Sequence, residues 1–284
     1  MILNISNVTK NYPGFELNCS MEVHEGRITG LIGANGAGKS TLFKIILQLV
    51  FASSGKVTIF GKDLAQLTEN DKRKIGAVMA DSTFSGYITI ADAKKILAAF
   101  YPAFDQNFFE QKCRDLGLNE TKKISELSTG MKAKFKVLCA ISCNSELLIL
   151  DEPTSGLDVL ARDDVLQMLR EYMEEDEKRA ILISSHISTD LETLCDDFYM
   201  IDNGRIVLHE DTDRLLSDYA LIKTDVKGFE SLDKKYILRT KKEPFGYSCL
   251  SDHREYYAEN YPDLVIEKSG FDELITLMVK GETL

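Results

Sequence analysis

The sequence predicts an α/β fold: a mostly parallel sheet with an antiparallel β edge layer and a helical insert, followed by a small C-terminal α+β appendage. Three stretches carry that expectation. GANGAGKST at 33–41 matches the phosphate-binding loop GxxxxGK[ST]. It lies between an apolar strand, Ile28–Ile32, and an amphipathic helix, Thr41–Leu49, which is the strand–loop–helix context such a loop requires. ELLILDEP at 146–153 is a second apolar strand, ending in two carboxylates. A helix at about Ala161–Glu174 then leads to another apolar strand, Ala180–Ser184, a βαβ crossover that makes these strands parallel.

In chain order, residues 1–30 read as short strands and turns: Ile2–Val8, a turn at Pro13 and Gly14, then Phe15–Val23 and the strand into the loop. Together they form the antiparallel edge layer. Val57–Phe60 and Ile75–Met79 continue the strands. The period then turns helical, with AKKILAAFY at 93–101 and NFFEQKCRDLGL at 107–118, so a helical subdomain at about 81–140 interrupts the sheet. After the crossover, Phe198–Ile201 and Arg205–His209 flank Asp202, Asn203 and Gly204, where an Asn-Gly pair suits the positive φ angles of a tight hairpin. The main domain, 1–216, closes there. The tail, 217–284, mixes β-like runs (Tyr236–Thr240, Tyr247–Leu250, Leu264–Glu267) with an amphipathic helix, Phe271–Val279. Its tyrosines at 256–261 are read as packing a small core rather than as a partner surface.

With 284 residues the chain has room for one large core and an appendage. Acidic residues number 45 against 34 basic, a net charge of −11, which repels a phosphate backbone and argues against nucleic acid as a partner. No apolar stretch reaches the roughly 18–20 residues needed to cross a bilayer, and the N-terminus MILNISNVTK lacks the profile of a signal peptide. The expected location is therefore cytoplasmic. Cys19, Cys113, Cys139, Cys143, Cys195 and Cys249 contain no CxxC pair, so reduced, buried thiols are expected rather than a zinc or redox motif.

The loop residues Gly33, Ala34, Asn35, Gly36, Ala37, Gly38, Lys39, Ser40 and Thr41 suit a nucleoside triphosphate. Glycines let backbone amides approach the anion, Lys39 reaches the β and γ phosphates, and Ser40 offers a hydroxyl to Mg²⁺ at the positive end of the helix dipole. Asp151 and Glu152 arrive at the carboxyl end of the sheet, where α/β ligand sites form. Asp151 is placed to hold the Mg²⁺ region and Glu152 to polarise an attacking water.

The order of these motifs with LSTGMK at 127–132, LDEP, SGLD at 155–158 and His186 after a strand resembles an ATP-binding cassette (ABC) ATPase over about residues 1–216. The fold thereby implied is a P-loop NTPase of ABC type. The resemblance implies a signature at LSTGMK with Ser128 and Gly130 as its contacts, and in SGLD, which includes Asp158, a loop that meets the opposite subunit. It also implies that His186 clamps the γ phosphate and the catalytic water, and that Tyr12 stacks on adenine. A head-to-tail dimer follows, of two identical chains or of this chain with a relative, together with an integral membrane permease subunit that would hold the protein at the inner face of the membrane. The cassette would drive transport, with export favoured by the single cassette, the short insert and the appendage.

Two features depart from the family pattern. Thr129 and Met131 replace the usual glycine and glutamine of the signature. In IGAVMADSTF, 75–84, Ala80 stands where the family carries a Mg²⁺-touching glutamine, with Asp81 one position on as a candidate metal contact. Phe84, Tyr87, Phe100, Tyr101, Phe104, Phe108 and Phe109 are expected to divide between core and a groove for a partner helix. The rival readings are a soluble ABC-type ATPase with a regulatory, non-transport role and a phosphate-loop kinase. The acidic charge counts against nucleic-acid work for the first, and a kinase has no need of LSTGMK, SGLD and His186 in that order.

Overall fold

The computed structural model describes residues 1–80 and 84–283. The chain opens with a hairpin, β1 (Leu3–Tyr12) and β2 (Phe15–Val23), whose alternation buries Leu17, Cys19, Met21 and Val23. β3 (Ile28–Ile32), buried at every position, runs into the phosphate loop and α1 (Lys39–Ile46). β4 (Ser54–Ile59) and the two-residue β5 (Lys62–Asp63) extend the antiparallel edge beside β1, and α2 (Glu69–Lys72) leads to β6 (Ile75–Val78). The insert consists of α3 (Ile90–Phe100), α4 (Gln106–Asp115) and α5 (Thr129–Ile141). Then follow β7 (Leu147–Asp151), α6 (Val159–Glu174), β8 (Ala180–Ser184), α7 (Ser188–Leu194), β9 (Asp197–Asp202), β10 (Arg205–Asp211) and α8 (Thr212–Asp218).

Ten strands form one continuous sheet in the order β5-β4-β1-β2-β10-β9-β3-β8-β7-β6. The expected edge layer is thus joined to the parallel strands, through β10 pairing with β2 beside Asn18. β6, β7, β8, β3 and β9 are mutually parallel. Alternate residues of these strands feed two cores: Leu148, Leu150, Ile181 and Ile183 face the insert and α6, whereas Leu147, Ile149, Ala180 and Leu182 face α1 and the hairpin side. Burial on both faces is why these strands read as unbroken apolar runs. The β9–β10 turn has Asn203 at φ 45° and Gly204 at φ 76°, the positive angles anticipated there.

Side-chain caps fix the insert. Thr89 and Asp92 form a capping box on α3, Asp105 caps α4, and Ser128 caps α5. Phe84, Phe104, Phe109 and Phe135 pack as tilted or edge-on ring pairs at 5.5–6.5 Å. Phe109 is fully buried, whereas Tyr87 and Phe100 are 89% and 67% exposed, so the aromatics divide between core and surface. All six thiols are buried.

A second sheet of four strands, in the order β12-β13-β11-β14, follows the first. It comprises β11 (Ala220–Thr224), α9 (Val226–Ser231), β12 (Ile237–Glu243), β13 (Gly246–Ser251), α10 (Arg254–Asn260), β14 (Val265–Lys268) and α11 (Phe271–Lys280). Residue 216 falls within α8, and β11 has no counterpart in the sequence reading. Tyr257 is fully buried among Phe229, Tyr236 and Tyr261, a small tyrosine-rich core. Phe271, Leu274 and Leu277 of α11 instead join the large core beneath the first sheet. Among the described residues no helix is long and apolar enough to cross a membrane.

Candidate active site

The carboxyl ends of β3, β7 and β8 converge on one site. Gly33 follows β3 and runs hard against β9: a Cβ there would lie 2.2 Å from the Ile201 carbonyl oxygen, so only glycine fits. Ala34, Asn35 and Gly36 form the exposed tip, and Ala37 and Gly38 are buried beneath it. Lys39 opens α1 and is buried. Its Nζ donates to the Gly33 carbonyl at 2.7 Å and to that of Ala34 at 3.4 Å. Ser40 is exposed and Thr41 half-buried on the first turn. No side chain caps α1, so its first amides and the positive end of its dipole face the loop.

β7 delivers Asp151, buried, and Glu152. Ser184, opposite Asp151 on β8, donates its hydroxyl to Asp151 Oδ1 at 2.8 Å and accepts the Glu152 N–H at 3.1 Å. Glu152 adopts φ 53°, a left-handed backbone unusual for a non-glycine residue, which turns its side chain out of the strand register. Its Oε2 accepts the His186 backbone N–H at 3.1 Å and lies 2.5 Å from His186 Nδ1. Its Oε1 is 3.8 Å from Lys39 Nζ. An ionised carboxylate only accepts, so in this contact the donor is His186 Nδ1. One carboxylate thus joins the phosphate-loop lysine to the histidine after β8.

These groups open into a cleft of about 830 Å³ between the sheet and the insert. Asn35, Met79, Ala80, Asp151, Glu152 and His186 line one side, and Thr129, Lys132, Ala133 and Lys136 of α5 line the other. Thr129, Lys132, Ala133 and Lys136 share one face of α5 because they are three, four and seven positions apart. Asp81 lies outside the described residues.

The remaining candidates stand apart from Lys39. Ser128 Oγ accepts the Met131 N–H at 3.2 Å, and Asp158 Oδ1 accepts the Ala161 N–H at 2.9 Å, so each caps a helix. A Cβ on Gly130 would lie 2.9 Å from that of Ala161. The structure therefore brings Gly130 and Asp158 together at the α5–α6 junction, and neither they nor Ser128 line the cleft. Tyr12 ends β1 with an exposed ring, over which Lys10 Nζ sits at 5.5 Å. The partner strand β2 sets Phe15 and Leu17 against Gly38, which places the hairpin beside the loop.

Several functional contacts escaped the sequence reading. Ser184, which holds both Asp151 and the Glu152 backbone, had one available signal: a polar residue ending an otherwise apolar strand. Thr154 donates to buried Asp190 at 2.6 Å, and Arg162 also donates to Asp190, tying the Pro153 turn and α6 to α7. Nothing in local spacing marks that triad.

Comparison with known proteins gives a consistent picture. A family model described as ABC transporter matches residues 17–155. The ABC transporter ATP-binding protein YtrB of Bacillus subtilis is 32% identical over 203 residues, 72% of this chain and 69% of that protein. The lantibiotic transport ATP-binding protein SrtF of Streptococcus pyogenes is 32% identical over 217 residues, 75% of this chain and 92% of its own. Among solved structures, an ATP-binding subunit of an ABC transporter aligns with a TM-score of 0.68 at 28% identity, covering 76% of this chain and 92% of that one. A dimeric ATP-binding cassette in a post-hydrolysis state with ADP and phosphate shares the fold, with a TM-score of 0.64 at 22% identity over 74% of this chain and 99% of that one.

Proposed function

The chain belongs to the ABC transporter family as an ATP-binding, ATP-hydrolysing subunit, and from that premise we propose which of its residues run the cycle and what it works with. The observation that carries the assignment is the shared carboxylate: Glu152 meets Lys39 and His186 at once. A triphosphate seated on the loop amides draws Lys39 away from the Gly33 carbonyl and from Glu152, because a γ phosphate is the stronger acceptor for an ammonium. Glu152, no longer neutralised by Lys39, then takes a proton from the attacking water. His186 fixes that carboxylate through Nδ1 and itself lines the cleft. Tyr12, with Lys10 above it, covers the adenine.

Ser40 and Asp151 suit magnesium, since both offer hard oxygens and Asp151 Oδ2 accepts no hydrogen bond among the described residues. Held there with the phosphates, the ion would neutralise β and γ oxygens as charge shifts in the transition state.

Two partners fit the remaining surfaces. Ser128, Gly130 and Asp158 would complete the site of a second cassette. Val159 and Leu160, directly after Asp158, are 78% and 79% exposed at the start of α6, apolar surface that such a partner would cover. Exposed Tyr87 and Phe100 on the insert would meet an integral membrane permease, which would place the protein at the inner face of the membrane. Transport is proposed as export, from the single cassette, the short insert and the C-terminal appendage.

Replacing Glu152 with Gln is expected to lower ATP turnover by roughly 10²–10⁴-fold while leaving ATP binding intact. Unchanged turnover would remove Glu152 from the base role.

A further inference from the structure

One helix of the C-terminal segment is seated on α7, the helix that follows His186. α7 begins two residues after that histidine and is seven residues long, too short to be stable without anchors. The core fixes its inner face: Leu191 and Leu194 are buried, and Asp190 holds Thr154 and Arg162. The tail fixes its outer face, where Glu192 Oε1 accepts the Phe271 N–H at 3.0 Å. Phe271 is the first residue of α11, and the N-cap before it is Gly270, which brings no side chain of its own. Glu192 supplies a carboxylate from another element, at the positive end of the α11 dipole.

The seat is tight. A Cβ on Gly270 would stand 3.0 Å from Glu192 Oε1. The Phe271 ring is fully buried and lies edge-on to Phe198 of β9 with centroids 4.4 Å apart. Further along β9, Ile201 is the residue whose carbonyl abuts Gly33. α11 therefore bears on both the helix that follows the histidine and the strand behind the phosphate loop.

We propose that Glu192 is a positioning residue for hydrolysis: by capping α11 it ties α7 to the C-terminal segment and holds His186 in register with Glu152. The segment thereby sets how well the site hydrolyses ATP. This rests on the ATPase assignment of Glu152 and His186 above. Misplacing a reacting group by an ångström is costly in rate, so loosening this tie acts on kcat rather than on ATP affinity.

The test is a double-mutant cycle on the full-length chain, measuring ATP turnover and KM for wild type, Glu192→Ala, His186→Ala and the pair. Glu192→Ala is expected to lower kcat roughly tenfold with KM changed by less than about twofold. Glu192→Gln, whose amide oxygen still accepts from Phe271, retains most of the activity. In the His186→Ala background Glu192→Ala should cost nothing further. Phe271→Leu, which keeps apolar volume but removes the ring from Phe198, should show the same kcat-only loss and the same dependence on His186. Losses that multiply, equal effects of Ala and Gln, or a Glu192→Ala protein at wild-type turnover would each overturn the inference while leaving the ATPase assignment standing. Full turnover in both Glu152→Gln and His186→Ala would instead sink that assignment, and this inference with it.

Discussion

Glu152 is held in a left-handed backbone conformation between a fully buried strand and Pro153, and Ser184 pins its amide from the neighbouring strand. Strain of that kind persists only where surroundings enforce it, and here it aims the carboxylate at His186. Gly33 is constrained as severely. Alanine there has to push Ile201 and β9 back, at a cost of about 1–3 kcal/mol, so Gly33→Ala is expected to weaken ATP binding by at least roughly fivefold in a nucleotide titration. Undiminished affinity would mean the loop is not held by that contact. The cysteines supply a check on packing: burial pushes the Cys113, Cys143 and Cys249 thiols up to about 12 and the Cys19 thiol up to about 11. At pH 8 the folded protein should therefore take up a thiol-alkylating reagent slowly, and the denatured chain should expose all six. At this scale the phosphate loop and the two carboxylates were legible, because their chemistry is written in contiguous residues. Ser184, Asp190 and Glu192 were not, since each acts on a residue about 30 or more positions away.

Elements that are buried on both faces announced themselves. β3 and β8 have the bounds their apolar runs suggested, because strands buried on both faces are built mostly of apolar side chains, with Thr29 and Ser184 hydrogen-bonded to Asp197 and Asp151. β4 begins at Ser54, earlier than its apolar residues, since pairing with β1 needs backbone rather than apolar side chains. α1 stops at Ile46, short of the apolar run that continues to Leu49, because Gln48 turns to φ 58°. The short α2 depends on a capping box. Thr68 and Asp71 bond each other's backbone, and Lys62 of β5 donates to both Asp71 oxygens at 2.8 Å. Those donors, Lys62 foremost, hold the Asp71 carboxyl well below the usual carboxylate range. A depressed value in the folded state contributes stability above the ordinary range and loses it as pH falls through that range toward the folded value. Asp71→Asn is therefore expected to destabilise the protein at pH 7 and to flatten the acid limb of its stability curve below about pH 4, read by denaturant unfolding across pH. An acid limb identical to that of wild type would show that the box is not linked to stability.

Over the whole molecule, the Glu152–His186 pair and the LSTGMK segment that opens α5 lie apart within one chain. The Glu152 carboxylate joins Lys39 to His186, while Ser128, Gly130 and Asp158 gather at the α5–α6 junction beside exposed Val159 and Leu160. On the proposed reading such a division would make each chain half of two sites, so closure on ATP would be an event between cassettes, in which ligand contacts favour one arrangement of the pair. The C-terminal sheet was legible only in part, for its strands are short and its α11 belongs to the larger core rather than to its own. The central claim is ATP-driven pairing. It is tested most directly by the solution mass of the Glu152→Gln protein with and without MgATP. Pairing of this chain with itself predicts a monomer without nucleotide and a stable dimer of twice that mass with it. A protein that binds ATP yet keeps the monomer mass would contradict self-pairing and leave the second cassette to another chain.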